Sequence, residues 1–317
     1  MTTSETIRLK SLELGFLHCG FARAEPLESL RPWYQEFIRQ KRYAGLAYLE
    51  RYAEQRLNPE LVLPGVRTVI ALLMNYFPPA VIPEKDNLII SKYAYGKDDH
   101  VVVKERLDQL AQFLTATFPR CRANCFYDSG MVLEKRWAQR CGTGWQGKNT
   151  VLINRTGGSF YHIGIILTDL DLPPDKPETD RCGKCELCIR ACPTGALATP
   201  YQLDLDRCLA YHSIENKAEI PEEIRGKFQG RIFGCDTCQD VCPYNRFARP
   251  HAEQEFLPSS GLQSMRKKDW LSLTRQEFDT LFKNSCVRRT GFQALKRNIN
   301  LAAELGEMTK ISPDSPN

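Results

Sequence analysis

The chain has 317 residues, which is enough for two domains of ordinary size. It is 42% hydrophobic and 26% charged with a net charge of +5, and no stretch reaches the roughly 18 apolar residues of a membrane helix. This composition excludes a membrane-spanning protein and is typical of a soluble one. Thirteen cysteines, an odd number, in a chain without a signal-peptide core predict reduced thiols, metal ligation and a cytoplasmic location.

Predicted helices and strands alternate through the first 170 residues. The segment from Thr2 to Leu14 has the pattern of an amphipathic helix, and helical spacing of apolar residues also predicts Asp99–Phe118 and Met131–Arg140. Apolar runs of strand length occur at Thr68–Tyr76, Asn87–Lys92, Ala123–Tyr127, Thr150–Asn154 and Phe160–Leu167. Strands and helices mixed in this way predict an open α/β or α+β sheet domain.

A glycine-rich segment, Gly142 to Asn149, matches the dinucleotide fingerprint G-x-G-x-x-G. Phosphate-binding loops of this kind follow a strand and open a helix, so that the phosphate meets the helix N-terminus. Here the order is reversed, because a predicted helix precedes the glycines and a predicted strand follows them. The segment is therefore not a nucleotide site, although its backbone can approach another large ligand.

Eight cysteines follow a proline-rich, charged linker at 171–180. The first run, Cys182-x-x-Cys185-x-x-Cys188-x-x-x-Cys192-Pro193, is the bacterial ferredoxin signature for a cubane iron–sulfur cluster. The second run, Cys235-x-x-Cys238-x-x-x-Cys242-Pro243, repeats its last three cysteines, and Cys208 can replace the missing one. The pattern predicts two 4Fe–4S clusters.

The ligands of each cluster follow from the way two-cluster ferredoxins are built, since the last cysteine of each run ligates the other cluster. This rule predicts one set of Cys182, Cys185, Cys188 and Cys242, and a second set of Cys208, Cys235, Cys238 and Cys192. Two tetrahedral zinc sites are the alternative. Zinc ribbons usually present paired C-x-x-C knuckles, however, whereas the first run here has four cysteines and ends in Cys-Pro.

Two further helices are predicted after Pro258, at Lys268–Phe282 and Gly291–Leu305, followed by a Pro/Ser tail that we expect to be disordered. The helices of the cysteine module can be short, because the clusters are expected to replace a hydrophobic core. We predict three domains, at 1–172, 173–250 and 251–317. Five basic residues and no acidic one lie between Lys283 and Arg297, which is either a solvated helix face or a surface for polyanions.

Several blocks carry a resemblance to one family. They are Phe126-Tyr-Asp128-Ser-Gly130, Glu134–Arg140, Gly142–Thr150, Gly234–Gln239 and the eight cysteines. In these blocks, and over roughly residues 5 to 300, the chain resembles epoxyqueuosine reductases. The resemblance implies an α+β fold: a nitroreductase-like α/β domain that binds cobalamin, a ferredoxin-like module with two 4Fe–4S clusters, and a short helical C-terminal region.

The resemblance also implies an activity, the reduction of epoxyqueuosine in a tRNA anticodon to queuosine. Asp128 matches the family's proton donor, a role for which burial would have to raise its pKa. Positions that match the family's cobalamin contacts are Arg56, Ser91, Asp128, Lys148, Asn149, Leu152, Ile163, Ala210 and Asp236. Cobalt is expected to lack a protein ligand, because the segment Asp98-Asp99-His100 fails the Asp-x-His-x-x-Gly motif at Val103.

The implied partners are a tRNA anticodon stem-loop and an external low-potential electron donor, with no membrane, and the protein is expected to be a monomer. Phosphates of the tRNA need cations, for which the candidates are Lys217, Arg225, Arg288 and Arg289. Two other functions stay open. One is a reductive dehalogenase-like corrinoid iron–sulfur reductase, and the other is a non-catalytic electron-transfer or zinc-dependent RNA-binding protein.

Overall fold

The computed structural model describes residues 1–128 and 130–308. None of the helices within these ranges is both long enough and apolar enough to cross a membrane. The strands are β1 Phe16–Arg23, β2 Thr68–Asn75, β3 Ile89–Ile90, β4 Ala123–Phe126, β5 Trp145–Gln146, β6 Leu152–Ile153, β7 Tyr161–Thr168 and β8 Arg231–Phe233. The helices are α1 Thr3–Glu13, α2 Arg31–Arg39, α3 Tyr48–Arg51, α4 Ala53–Leu57, α5 Asp99–Thr117, α6 Glu134–Arg140, α7 Leu187–Ala191, α8 Leu209–Ile214, α9 Glu222–Arg225, α10 Thr237–Asp240, α11 Ser260–Ser264, α12 Lys267–Ser272, α13 Arg275–Leu281 and α14 Phe292–Met308.

Four strands form the main sheet in the order β1-β2-β7-β4, each antiparallel to its neighbour. Every residue of β2 is buried, because helices cover both faces of the sheet. Val69 and Leu73 pack with Trp137 of α6 on one face, whereas Ile70 and Leu72 pack into the core of α5 on the other. The fold is therefore mixed α and β, as predicted.

The predicted elements differ in how closely they match the structure. The helix α5 and the strands β2 and β7 confirm their predicted ranges to within one residue at each end. The predicted strands Asn87–Lys92 and Thr150–Asn154 are reduced to the two-residue strands β3 and β6. No strand is predicted where β1 lies, because its sequence mixes polar and apolar residues around Gly20. An added Cβ at Gly20 would lie 2.0 Å from the carbonyl oxygen of Cys141, so close backbone approach selects the glycine.

A third hydrophobic core lies around the second cysteine run. Strand β3 runs parallel to β8, and the aromatic residues Phe228, Phe233 and Trp270 pack around them with Leu295 of α14, each at most 1% exposed. The expectation that clusters replace a hydrophobic core is therefore wrong for this half of the cysteine module. The core takes residues from all three predicted domains, whose boundaries stay a prediction.

The predicted helix Lys268–Phe282 is divided into α12 and α13. The break lies at Thr274, whose side chain accepts a hydrogen bond from the backbone of Glu277 while the Glu277 carboxylate accepts one from the backbone of Thr274. This reciprocal capping box starts a new helix. The Thr-x-x-Glu spacing is visible in the sequence and could have indicated the break. The predicted Pro/Ser tail lies outside the described residues, apart from the helical residues that end at 308.

Candidate active site and metal centre

The last cysteine of the second run lies with the first run. Burial, and then the neighbouring thiols of Cys182, Cys188 and Cys185, raise the pKa of Cys242. The short helix α10 separates Cys242 from Cys235 at the start of its own run. The structure thus brings together the four thiols that the spacing predicts as one ligand set.

Cys192, the last cysteine of the first run, lies with the second set in the same way. Burial raises the pKa of Cys238, and the thiols of Cys235, Cys208 and Cys192 raise it further. Cys208 likewise has Cys235 and Cys192 as neighbours. All thirteen cysteines are free, so eight thiols in two sets of four are available, which is the donor set of two cubane clusters.

The two sets differ in their access to solvent. Cys185 of the first set is the exposed cysteine among the thirteen, and the loop around it, 183–187, is exposed throughout. In the second set every cysteine is at least partly buried. An external electron donor can therefore approach the first set more closely than the second.

The glycine segment connects the two cysteine loops. Lys148 donates from Nζ to the carbonyl oxygens of Gly183 (2.7 Å) and Cys185 (3.1 Å). Asn149 donates from Nδ2 to the carbonyl oxygen of Cys238 (3.2 Å). The structure thus places two of the predicted cobalamin-binding residues against the backbone of the cysteine loops.

Ser91 and Asp236, also predicted as cobalamin contacts, lie against each other. The Ser91 hydroxyl donates to Asp236 Oδ1, and the backbone N–H of Lys92 donates to Oδ2 at 2.8 Å. Both residues are buried, at 4% and 9% exposure. The pair ties strand β3 to the loop that carries Cys235.

Arg56 lies beneath the segment that follows Asp128. Its guanidinium donates to the carbonyl oxygen of Gly130, to the Tyr34 hydroxyl at 2.9 Å and to the carbonyl oxygen of Tyr48 at 3.4 Å. Only 2% of the residue is exposed. This contact set makes Arg56 a support for the turn that presents Asp128.

The other predicted cobalamin positions are less polar. Leu152 is 2% exposed in the core below the sheet, and Ile163 packs against that same core. Ala210 lies in α8 and is partly buried, two residues after Cys208.

Asp128 lines an open pocket of about 440 Å³ together with Tyr48, Tyr93, His100 and Arg289. It has a positive φ of 45°, and its side chain is 69% exposed. The burial that was expected for a proton-donating Asp128 is therefore not found. Its neighbour Ser129 lies outside the described residues.

The Asp128 carboxylate faces a histidine at the start of α5. His100 Nε2 lies 3.3 Å from Asp128 Oδ2, and His100 Nδ1 lies 3.4 Å from Asp99 Oδ2 and 3.5 Å from Asp98 Oδ1. Burial favours the neutral form of Asp99, but His100, His162 and Tyr127 hold the pKa of Asp99 below its usual value.

Tyr127 joins this group to a buried histidine. Its hydroxyl donates to Asp99 and lies 2.7 Å from His162 Nδ1. Because a phenol has one proton and Asp99 accepts it, His162 must donate from Nδ1. Burial lowers the pKa of His162 to about 4, consistent with a neutral ring.

Arg289 closes the pocket from the opposite side. Its guanidinium lies 3.4 Å from both Asp98 Oδ1 and Asp99 Oδ1, and it also contacts His100 Nδ1. The basic run 283–297 contains no acidic residue, but Asp98 and Asp99 at the start of α5 place two carboxylates beside Arg289. The interpretation of Arg289 as part of an unpaired cationic surface is therefore wrong.

The other cations predicted to bind tRNA differ in their pairing. Arg225 pairs with Glu219 and, at 3.4 Å, with Glu222. Lys217 donates to backbone carbonyl oxygens, and it lines a surface groove together with Arg288. Lys217 and Arg288 form no ion pair with any described carboxylate, so their charges remain available to an anion.

Lys135 of α6 is exposed and carries a charge near the Asp128 segment. Burial lowers the pKa of Lys135, and the charges of Glu134, Asp128 and Cys238 act in the opposite direction. A second cavity, of about 410 Å³, includes Lys135 together with Trp33, Phe37 and Tyr201. The lining of this cavity thus comes from the sheet domain and from the segment between the two cysteine runs.

Sequence reasoning missed His100, Asp99, Tyr127 and His162. The segment 98–100 is considered only as a failed cobalt motif, and His162 is treated as an isolated residue. The usable signal was local: Tyr127 adjoins Asp128, and Asp99 adjoins His100. Nothing in the sequence, however, indicates that these two pairs meet.

Two family models match the chain. One, described as epoxyqueuosine reductase QueG, DUF1730, matches residues 56–129, and the other, a 4Fe-4S double cluster binding domain, matches 181–245. A curated epoxyqueuosine reductase from Cellulophaga algicola is 43% identical over 298 residues, covering 94% of this chain and 97% of that protein.

Solved structures of the same name share the fold. A crystal structure of epoxyqueuosine reductase with an epoxyqueuosine-modified tRNA-Tyr stem loop has 29% identity and a TM-score of 0.86, covering 99% of this chain and 86% of that one. Another, from Bacillus subtilis, has 29% identity and a TM-score of 0.83, covering 98% of this chain and 86% of that one. The latter is described as having its catalytic aspartate loop swung out of the active site.

Proposed function

The chain belongs to the epoxyqueuosine reductase family, and on that premise we propose that it reduces the epoxide of epoxyqueuosine in a tRNA anticodon to the alkene of queuosine. The observation that carries this proposal is the pocket of Asp128, whose wall reaches the second cysteine set. Tyr76 of the pocket accepts a hydrogen bond from Gln239 Nε2 at 3.1 Å, and Gln239 directly follows Cys238. The wall of the Asp128 pocket thus contacts the residue next to Cys238, a proposed cluster ligand.

The cofactors of this reaction are cobalamin and two 4Fe–4S clusters, which when bound supply the two electrons that the reduction consumes. One proposed cluster takes three ligands from the first run and one from the second. The other takes two from the second run, one from the first, and Cys208 from between the runs. The proposed ligands are Cys182, Cys185, Cys188 and Cys242 for one cluster, and Cys208, Cys235, Cys238 and Cys192 for the other. We place cobalamin at the cavity that Lys135 and Tyr201 line, between a nitroreductase-like sheet domain and a ferredoxin-like module.

Asp128 performs the proton chemistry. Conversion of an epoxide into an alkene takes up two electrons and two protons and releases water. Oxygen leaves poorly as an alkoxide, so an acid within hydrogen-bond reach of that oxygen is required. The exposed carboxyl group of Asp128 can reach a substrate base that enters the pocket, while Arg56 fixes the turn below it.

Substrate binding uses the cations near the pocket. An unpaired anticodon base can be turned into a pocket at small cost, and the flanking phosphates then need positive charge. Lys217 and Arg288 are the proposed phosphate contacts, because described carboxylates leave them unpaired. Arg225 is largely neutralised by its glutamates, and Arg289 belongs to the pocket itself.

Electrons are proposed to enter from an external low-potential donor at the first cluster, since Cys185 is exposed. A tRNA substrate also implies that the protein acts in the cytoplasm. The identity of the donor and a monomeric state stay predictions.

The direct test is turnover. Protein with reconstituted clusters, cobalamin and a strong chemical reductant is incubated with tRNA that carries epoxyqueuosine, and the nucleosides are then analysed. We expect queuosine to replace epoxyqueuosine. Unchanged epoxyqueuosine in the presence of full cluster and cobalamin content would contradict the proposal, and a colourless protein that contains zinc would favour the RNA-binding alternative.

A further inference from the structure

His100 is held in place by groups that surround its ring. Asp98, the N-cap residue of α5, and Asp99, its first residue, both face Nδ1 of His100. Arg289 faces the same nitrogen from the segment before α14. Nε2 points the other way, toward Asp128 Oδ2 at 3.3 Å. The ring therefore has one orientation, and its outward nitrogen is directed at the proposed acid.

The support of His100 extends into the protein core. Asp99 is anchored by the hydroxyl of Tyr127, and Tyr127 is in turn fixed by His162, whose Nε2 has no hydrogen-bond partner among the described residues. The side chains of Asp99 and His162 are only 6% and 7% exposed. This buried network is attached to a ring that is itself 36% exposed, so His100 connects the core to solvent.

The proposed reaction needs a source of protons for Asp128. A carboxyl group in contact with water has a pKa of about 3.9 and is ionised at neutral pH. The side chain of Asp128 is 69% exposed, and the reaction requires it to deliver two protons in turn. A donor that reloads it must lie within hydrogen-bond distance, and His100 is the titratable side chain that meets this condition in the described structure.

We propose that His100 is a positioning residue that holds Asp128 in the pocket and loads it with the protons that epoxide reduction consumes. This inference rests on the proposed function. The proton moves from His100 Nε2 to Asp128 Oδ2, and Asp128 then gives it to the epoxide oxygen as the carbon–oxygen bond breaks. His100 regains a proton from solvent, and a second transfer by the same route lets the resulting hydroxyl group leave as water. The two electrons come from the cofactors of the proposed reaction.

Substrate binding triggers the first transfer. Before binding, hydrogen bonds with Asp128, Asp98 and Asp99 raise the pKa of His100, while burial opposes this shift. The protonated ring then directs a proton at the Asp128 side chain. A base that covers the exposed pair removes water, and desolvation disfavours two separate charges relative to a neutral pair. The proton therefore passes to Asp128 when the substrate is in place.

The test replaces His100 by glutamine, whose amide N–H can still hold Asp128 but cannot supply a proton. In His100→Gln, with clusters and cobalamin loaded, we expect kcat to fall by about 100-fold with tRNA affinity unchanged. The high-pH limb of the kcat profile should also move to lower pH, because the variant lacks the ring of His100, whose raised pKa keeps a proton available at high pH. An unaltered kcat with an unaltered pH profile would overturn the proposal.

Two further variants keep the inference separate from the proposed function. Added imidazole should restore part of the activity of His100→Ala, because it replaces the lost ring, and its failure to do so would count against proton transfer. His18→Gln, on β1 outside the pocket, should leave the pH profile unchanged. If the unmodified protein does not convert epoxyqueuosine, the proposed function fails; if it does and His100→Gln matches it, only this inference fails.

Discussion

Asp128 is presented to the pocket by residues distant in sequence. Arg56 supports the carbonyl oxygen of Gly130, and His100 faces the carboxylate itself. The positive φ of Asp128 shows that the turn is held in a conformation unusual for a side chain with a Cβ. Aspartate adopts this conformation more readily than most residues, and here Arg56 and His100 hold the turn from both sides.

Replacing Asp128 by asparagine tests the acid directly. The amide keeps the size and much of the hydrogen bonding of the side chain, but it cannot donate the proton that the epoxide oxygen needs. We expect turnover to fall by at least about 100-fold while the cobalamin spectrum of the bound protein is unchanged. Asp86→Asn, at an exposed residue that also has a positive φ, is the matched control and should retain activity. Near-normal turnover by Asp128→Asn would remove the proton-donor assignment.

At the scale of elements, the final cysteine of each run follows a short helix, α7 or α10, that carries the cysteine before it. Cys192 and Cys242 are each followed by proline, which cannot continue the backbone hydrogen bonding of the preceding turn. The chain leaves each helix in an extended conformation at these cysteines. The two runs therefore exchange their last thiols, and each proposed cluster depends on both runs.

Double substitutions test whether the two runs exchange their last thiols, and the measurement is the iron content of each purified variant. Cys182→Ala with Cys242→Ala removes two thiols of one proposed cluster, so about half of the iron should remain. Cys235→Ala with Cys242→Ala removes one thiol from each proposed cluster, and we expect a much larger loss of iron. The two proteins have equal numbers of cysteines, so each is the control for the other. The reverse order of iron contents would show that each run holds its own cluster.

The segment before α14 presents two adjacent arginines to two different surfaces. Arg289 points into the pocket and pairs with α5, whereas Arg288 lines the groove of Lys217. Adjacent residues of one turn thus serve different surfaces. This arrangement separates the residues that shape the pocket from those available to phosphate.

Charge reversal distinguishes the available cations from the paired ones. Arg288→Glu should weaken tRNA binding and reduce the slope of affinity against salt concentration by about one unit, because a phosphate contact is lost. Arg225→Glu changes the charge equally, but Arg225 is already paired with Glu219, so we expect a smaller effect. Affinities are compared by titration over a range of salt concentrations. Equal effects of the two variants would contradict the assignment of Arg288.

At the scale of the whole molecule, α14 connects the C-terminal helices with the cysteine module. Asn298 is fully buried and donates from Nδ2 to the carbonyl oxygens of Ser213 (2.8 Å) and Ile232 (2.9 Å). One side chain thus joins α14 to α8 and β8. The loop of Cys235 follows β8 directly, so the position of the second cysteine set depends on this core.

Asn298→Ala should therefore destabilise the protein as a whole. It removes both donors and leaves buried acceptors unpaired, at a cost of about 1–3 kcal/mol. We expect the Tm of the cluster-loaded protein to fall by a few degrees, measured anaerobically. Asn300→Ala, at an exposed position of the same helix, is the control. A Tm equal to that of the control would show that the two hydrogen bonds do not stabilise the fold.

The cysteine spacing, the Asp128 block and the long elements β2, α5 and β7 could all be predicted from the sequence. Each depends on residues that are close along the chain, where covalent geometry and side-chain periodicity limit the possible structures. The family resemblance rests on the same local blocks. Short elements such as β3 and β6 were predicted less well, because neighbouring strands and loops set their length.

The contacts between side chains of the site could not be predicted from local sequence patterns. His100 and Asp128 are 28 positions apart, and Asp99 and Arg289 are separated by 190 positions. The packing of α5 and of the segment before α14 brings their side chains together, and no local pattern records such packing. Local spacing thus specifies which groups can bind metal or donate a proton. The three-dimensional arrangement of the sheet and the third core determines which of them act together.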